Sequence, residues 1–313
     1  MVTERSTAFV PGHVTAFFSA HHAENPAAAG SRGAGLALTD GVRVTVVPAT
    51  ADRPGEAARA ESSTSAETSP PPVTLDGDPT TIEVVDDVLA ALGVAEATAR
   101  VELASDLPLG AGFGVSGAAA LGTALAATDA FDCARSENEL VRVAHEAEVV
   151  RGTGLGDVVA QARGGVPIRL QPGAPEYGDL DGIPATARVE YVTFGELSTE
   201  TVLAGDTTGL SDAGERALTE LRHDPRLSTL LDASREFAER ADLLVPEVAE
   251  AVEAVAAAGG SASMAMLGRT AFALGTGLSD AGYDPEICRL DPAGARLVDG
   301  GADGSGSGTV DAE

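Results

Sequence analysis

Leu107-Pro108-Leu109-Gly110-Ala111-Gly112-Phe113-Gly114-Val115-Ser116-Gly117-Ala118 is the stretch on which the rest of the chain is read. Before it, Arg100 to Ala104 alternates as a strand; after it, small residues run to about Phe131 as a helix. Glycines at this junction let the backbone approach a ligand with its N–H groups turned inward. The helix start adds unpaired N–H groups and the positive end of a dipole. Pro108, Gly110, Ala111, Gly112, Phe113, Gly114, Val115, Ser116 and Gly117 therefore form a candidate phosphate cradle without a charged side chain. Ser116 is placed to bind a phosphate or a metal through its hydroxyl. The structural alternative is a tight strand-to-helix connection in which small residues serve close packing.

Charge narrows the choice of ligand chemistry. The chain of 313 residues carries 48 acidic and 20 basic side chains, a formal charge of −28, and every basic one is Arg. Without Lys, a Walker A loop, a protein-kinase loop and Schiff-base chemistry are excluded. A surface this negative repels phosphate backbones, so nucleic-acid binding is not expected. No apolar segment is long enough to span a membrane and no leader pattern is seen, so a cytoplasmic protein is expected. Molar salt shortens the Debye length to about 3 Å, so an acidic, Lys-free composition suits a halophile. Cys133 and Cys288 lie far apart, without a zinc or disulfide pattern. Gly112, Gly114 and Gly117 also satisfy the dinucleotide fingerprint G-x-G-x-x-G. Against that reading, Pro108 interrupts the strand exit and no acidic strand end follows at ribose-binding distance.

Outward from the loop, the pattern predicts a short strand over 7–10 stopped by Pro11-Gly12, and a hairpin over 34–48 turning at Asp40-Gly41. Residues 51–72 read as a disordered insertion, 80–92 as a helix, and 136–150 as a helix opened by a Ser136/Glu139 capping box. Gly152 to Asp157 reads as a turn before a further helical pattern. Residues 166–194 are β-rich, helices are expected near 211–222, 226–242 and 246–258, and 261–275 reads as strand and turn. The mixture lacks strict alternation, so the expected class is α+β. The expected division is an N-terminal nucleotide-binding domain over 1–165, a C-terminal domain over 166–298 and a disordered tail over 299–313.

Pro108-Leu-Gly-Ala-Gly-Phe-Gly-Val-Ser-Gly117 resembles the second motif of the GHMP kinases. Pro11-Gly12-His13-Val14 resembles their first, with His13 in the basic position. Glu148, Gly152-Thr-Gly-Leu-Gly-Asp157 and Gly164-Gly165 resemble a further block, and the third motif is reduced to Gly260, Ser263 and Gly268. The resemblance runs from residue 9 to about 275. It implies a two-domain kinase with its site between the domains, ATP as phosphoryl donor and Mg²⁺ held by Glu148 with Ser116. Within the superfamily, Pro11 to Thr15, Gly30 to Gly35, Thr153 to Asp157 and Ala262 to Gly268 are similar to the archaeal kinases that phosphorylate the 4-hydroxyl of pantoate on the route to coenzyme A. Other small hydroxyl acceptors (homoserine, shikimate, mevalonate) remain alternatives, as do a dinucleotide-binding oxidoreductase and a non-catalytic ATP-binding regulator. A homodimer is compatible with the chain.

The candidate catalytic residues are Asp157, Arg32 and His13. Asp157 is placed to take a proton from a substrate hydroxyl, or else to cap a helix. Arg32 offers a planar fork for an acceptor carboxylate, or is a surface arginine in a glycine-rich turn. His13 contacts phosphate or substrate, or is a packed, hydrogen-bonded side chain. Glu146 competes with Glu148 for the metal. Thr15, Ser19 and Arg151 carry less support.

Overall fold

The computed structural model describes residues 5–49, 73–95, 98–196, 205 and 207–299. The expected insertion over 51–72 and nearly all of the expected tail lie outside them. Two long strands, β1 (Ser6–His21) and β2 (Gly30–Pro48), pair antiparallel almost end to end. The expected stop at Pro11-Gly12 and turn at Asp40-Gly41 are both corrected. Pro11 sits opposite Gly41 in the ladder, and the register shifts between Pro11 and His13. The two turn-like pairs meet as a bulge, not as chain reversals. Close approach requires the glycines there. A Cβ on Gly12 would overlap the Leu107 side chain, and one on Gly41 would overlap the Val10 carbonyl. The bulge releases the His13 N–H from the ladder, and it donates instead to the Phe113 carbonyl at 2.9 Å. The first and second sequence motifs are joined by that bond.

After β3 (Val73–Leu75) and β4 (Asp78–Pro79), α1 (Glu83–Ala91) buries Val84, Val85, Val88 and Leu89 on one face. β5 (Ala99–Ser105) leads through the glycine-rich loop into α2 (Val115–Phe131). α2 is buried on nearly every side and packs on β1 and β2, which explains its small residues; a Cβ on Gly122 would overlap Val44. α3 (Glu137–Arg151) has the expected capping box: Ser136 Oγ accepts from the Glu139 N–H, and the Glu139 carboxylate accepts from the Ser136 N–H. α4 (Asp157–Arg163), β6 (Val166–Gln171), β7 (Asp179–Ile183) and β8 (Arg188–Thr193) follow. Then come α5 (Thr208–His223), α6 (Leu227–Arg240), α7 (Pro246–Ala257), β9 (Ala262–Ala265), β10 (Thr270–Leu274), α8 (Gly277–Asp280), β11 (Glu286–Arg289) and β12 (Arg296–Val298).

The strands form two sheets. The eight-stranded one runs β12-β1-β2-β5-β3-β4, with β6 and β7 attached through β2; the four-stranded one runs β11-β8-β10-β9. The sheets therefore part between β7 and β8, later than residue 165, and β12 crosses back to the first. Among the described residues the one parallel pair is β3 with β5. A dinucleotide fold needs parallel βαβ units, so the glycine loop is not a dinucleotide fingerprint. The class is α+β, as expected, and the glycine-rich loop faces the β9–β10 turn of the smaller sheet.

Candidate active site

Gly110, Gly112 and Gly114 take φ of +73°, +92° and +63°, the left-handed region that glycine reaches without strain. Gly114 immediately precedes α2, so the loop delivers the free N–H groups of that helix start. The loop rests on the β9–β10 turn: a Cβ on Gly268 would overlap the Ala111 carbonyl. A cleft of about 290 Å³ lies against it, bounded by Gly110, Gly112, Gly114 and Ser116 with Glu148, Thr153 and Asp157. Phe113 and Val115 also line it, whereas Pro108, Ala111 and Gly117 do not. Ala111 is buried behind the loop, its carbonyl accepting from the Thr270 hydroxyl at 2.8 Å. A larger open groove, about 840 Å³ along α5 and α6, is lined by Glu215, Glu220, Asp224 and Asp232, which outnumber Arg216 and His223 there. Those carboxylates repel an anionic nucleotide, so the smaller cleft is the site.

Glu148 is only 2% exposed. Ser116 Oγ and Thr153 Oγ1 donate to its Oε1 at 2.5 and 2.8 Å. Burial pushes its pKa up to about 7; the two hydroxyls oppose that, and nearby Asp157 adds to it. Glu146 instead reaches solvent beside Arg142, away from the cleft that Glu148 lines. A buried carboxylate and a hydroxyl, both oxygen donors facing a phosphate cradle, fit Mg²⁺. That ion takes one or two protein ligands and completes its shell with phosphates and water.

Asp157 opens α4. Its Oδ1 lies 2.7 Å from His13 Nδ1 and accepts from Thr15 Oγ1 at 3.4 Å. The short bond to a carboxylate puts the histidine proton on Nδ1. Burial alone would raise the Asp157 pKa, but His13 and the nearby Arg169 charge outweigh it, and the carboxyl is held below its ordinary value. His13 is fully buried, its pKa lowered by burial against the pull of Asp157. The expectation that it contacts phosphate or substrate is corrected: it stands behind Asp157 and orients that carboxylate.

Arg32 is engaged within the protein: its Nη1 donates to Glu215 at 2.6 Å and its Nε to the Leu170 carbonyl at 2.8 Å. A different cation is buried next to Asp157: Arg169 on β6, 1% exposed. Its Nε and Nη1 have no hydrogen-bond partner. Arg169, Ser31 and Asp157 bound a second, much narrower recess beside the cleft, of only about 20 Å³. Glycine at 156 makes this possible, since a Cβ there would overlap Ser31 Oγ and lie 2.7 Å from Arg169 Nε. A buried, unpaired guanidinium is costly unless an anion completes it.

Residues 80–165 match the family model for the GHMP kinases N terminal domain. The chain is 36% identical to the pantoate kinase of Thermococcus kodakarensis over 277 residues, 85% of this chain and 86% of that one. It is 33% identical to the pantoate kinase of Methanospirillum hungatei, covering 88% and 89% of the two chains. A solved structure described as a phosphotransferase related to the CoA biosynthesis pathway superposes with a TM-score of 0.78 at 30% identity, covering 94% of this chain and 98% of that one. The chain belongs to the pantoate kinase family of the GHMP kinases. It is thus an ATP-dependent kinase.

The structure places the loop, Ser116, Glu148 and Asp157, all singled out from the sequence, around one cleft, and adds Arg169 and Ser31, which the sequence reading did not single out. Arg169 did carry a signal, as a lone charge inside the apolar run Val166-Pro167-Ile168-Arg169-Leu170. His145 was missed too: buried in α3, it is within 2.8 Å of the Ala29 carbonyl through Nε2 and anchors the β1–β2 connection beside Ser31.

Proposed function

We propose that the protein transfers the γ-phosphoryl group of ATP to the 4-hydroxyl of pantoate, giving 4-phosphopantoate and ADP. The observation behind this is the pairing of two groups beside the cleft: Arg169, buried with Nε and Nη1 lacking hydrogen-bond partners, and the oriented carboxylate Asp157, flanking a recess of about 20 Å³ that must widen to admit the acceptor. A small hydroxy acid has the matching groups. Its carboxylate pairs with Arg169 and Ser31, and its hydroxyl points to Asp157. The N–H groups of 110–116 receive the ATP phosphates. Glu148 and Ser116 would hold Mg²⁺, which when bound spreads the negative charge of the phosphates.

Asp157 accepts the hydrogen bond of the acceptor hydroxyl and fixes its oxygen for in-line attack. As the new P–O bond forms and the bond to the β-phosphate oxygen breaks, the hydroxyl proton passes to Asp157. A carboxylate held this acidic is a weak base, which suits a loose transition state in which the proton moves late. Positioning and electrostatics supply the rate, and no covalent intermediate is needed.

The charge of −28, the absence of Lys and the relatives named above support a salt-adapted archaeal protein working inside the cell. Among the described residues no helix is long and apolar enough to cross a membrane. The test is ADP release from Mg-ATP in molar KCl, comparing pantoate with homoserine, shikimate, mevalonate and pantothenate. Turnover with pantoate alone is expected. Turnover with another acceptor in its place would discard the substrate and keep the reaction class.

A further inference from the structure

Leu267, between β9 and β10, has φ of +63°, a left-handed backbone that glycine adopts freely and leucine does not. Two neighbours hold it there. The N–H of Met266 donates to the Thr15 carbonyl at 3.0 Å, and Gly268 is pressed against the Ala111 carbonyl. The turn is thus pinned on one side to β1 and on the other to the phosphate loop. Glycine at 267 would satisfy the same geometry without strain, yet a branched apolar side chain stands there. A strained residue that the surroundings over-determine points to work done by its side chain.

The position of that side chain shows what the work is. Thr15, Asp157 and Leu267 bound both the larger cleft and the narrow recess beside it, and of the three only Leu267 is apolar. The recess is polar at Arg169 and Ser31 and again at Asp157 and Thr15. Phe18, Leu155 and Leu267 supply its apolar surface. Phe18 is fixed within β1, 3% exposed and packed on Phe237. Leu267 is half-buried at the junction where the acceptor hydroxyl must meet the phosphate.

We propose that Leu267 is a specificity-determining residue, which packs on the quaternary carbon between the carboxylate and hydroxyl ends of the acceptor. It thereby selects a branched hydroxy acid over its unbranched counterpart. The proposal rests on the pantoate reading given above and adds to it the side chain that reads the two methyl groups. An apolar wall discriminates a missing methyl or methylene by about 10-fold or more.

The experiment compares kcat/KM for pantoate and for 2,4-dihydroxybutanoate, which keeps the carboxylate and both hydroxyls but lacks the methyl groups. Wild type, Leu267→Gly and Leu267→Ala are assayed in molar KCl, with Tm and the KM for ATP measured alongside. Wild type is expected to prefer pantoate, and Leu267→Gly to lose at least about 10-fold of that preference. Because glycine relieves the backbone, its Tm should equal or exceed that of wild type, while the alanine variant loses preference without that gain. The KM for ATP is followed alongside because Leu267 also bounds the larger cleft; a change in it common to both acceptors does not alter their ratio. An unchanged preference in folded variants overturns the proposal, and so does an equal loss toward both acceptors, which would give Leu267 a general role in transfer. A wild-type enzyme inactive on pantoate would instead defeat the underlying substrate reading.

Discussion

Two carboxylates that line the cleft, Asp157 and Glu148, are pushed in opposite directions by their surroundings. Asp157 is held below its ordinary pKa by His13 and Arg169, so it is ionised when the acceptor arrives. Replacing it with Asn keeps the shape but removes the proton acceptor. Asp157→Asn is expected to lower kcat by about 10³-fold with ATP affinity unchanged, measured by single-turnover phosphoryl transfer and nucleotide titration. Unaltered turnover would remove Asp157 from the reaction. Glu148 is the opposite case, raised from 4.5 to about 7 chiefly by burial.

Between those two values the folded protein keeps a proton that the unfolded chain has released. The stability contributed by that proton is present below pH 4.5 and is lost as pH rises to about 7. The loss amounts to about 3 kcal/mol. Without Mg²⁺, Glu148→Gln should therefore gain stability over wild type as pH rises through this window, and the gain should level off above it. Denaturant midpoints at a series of pH values measure the difference; a gap independent of pH would contradict the assigned burial of charge.

At the scale of elements, the site exists because one turn and one loop touch without side chains between them. Gly268 lies against the Ala111 carbonyl, and Ala111 in turn is bonded to Thr270. Gly268→Ala should push the β9–β10 turn off the phosphate loop, raising the KM for ATP at least about 10-fold and lowering stability by about 1–3 kcal/mol. An unchanged KM would mean that the loop keeps its shape without this support.

The helices were legible in the sequence. Their periodicity is local, and the Ser136/Glu139 box and the small-residue face of α2 stand where the pattern put them. The long strands were not legible. Pro11-Gly12 and Asp40-Gly41 each have the composition of a turn, and only their meeting across the β1–β2 ladder makes them a bulge. The same limit applied to the site. Glycines and catalytic acids announce themselves in short motifs, but Arg169 acquires its meaning only beside Ser31 and Asp157, on other elements. Arg32 looked free because its partner Glu215 lies on α5.

For the whole molecule, net charge dominates. With −28 on 313 residues, self-repulsion opposes the compact state at low salt and is screened in molar salt. The surface arginines reduce this only locally, in pairs such as Arg135–Glu139 and Arg240–Glu236. Tm is expected to rise by about 10 °C or more between 0.1 M and 3 M KCl, followed by circular dichroism. A flat salt dependence would separate the acidity from any role in folding.

On the proposed function, the buried Arg169 holds the acceptor's carboxylate while Asp157 holds its hydroxyl. The most direct measurement compares kcat/KM for pantoate and for pantoamide, the same molecule with its carboxylate charge removed, in wild type and in Arg169→Gln. Wild type should prefer pantoate by about 100-fold, and the variant should lose most of that preference with its KM for ATP unchanged. A variant that still prefers pantoate as strongly as wild type does would contradict the account.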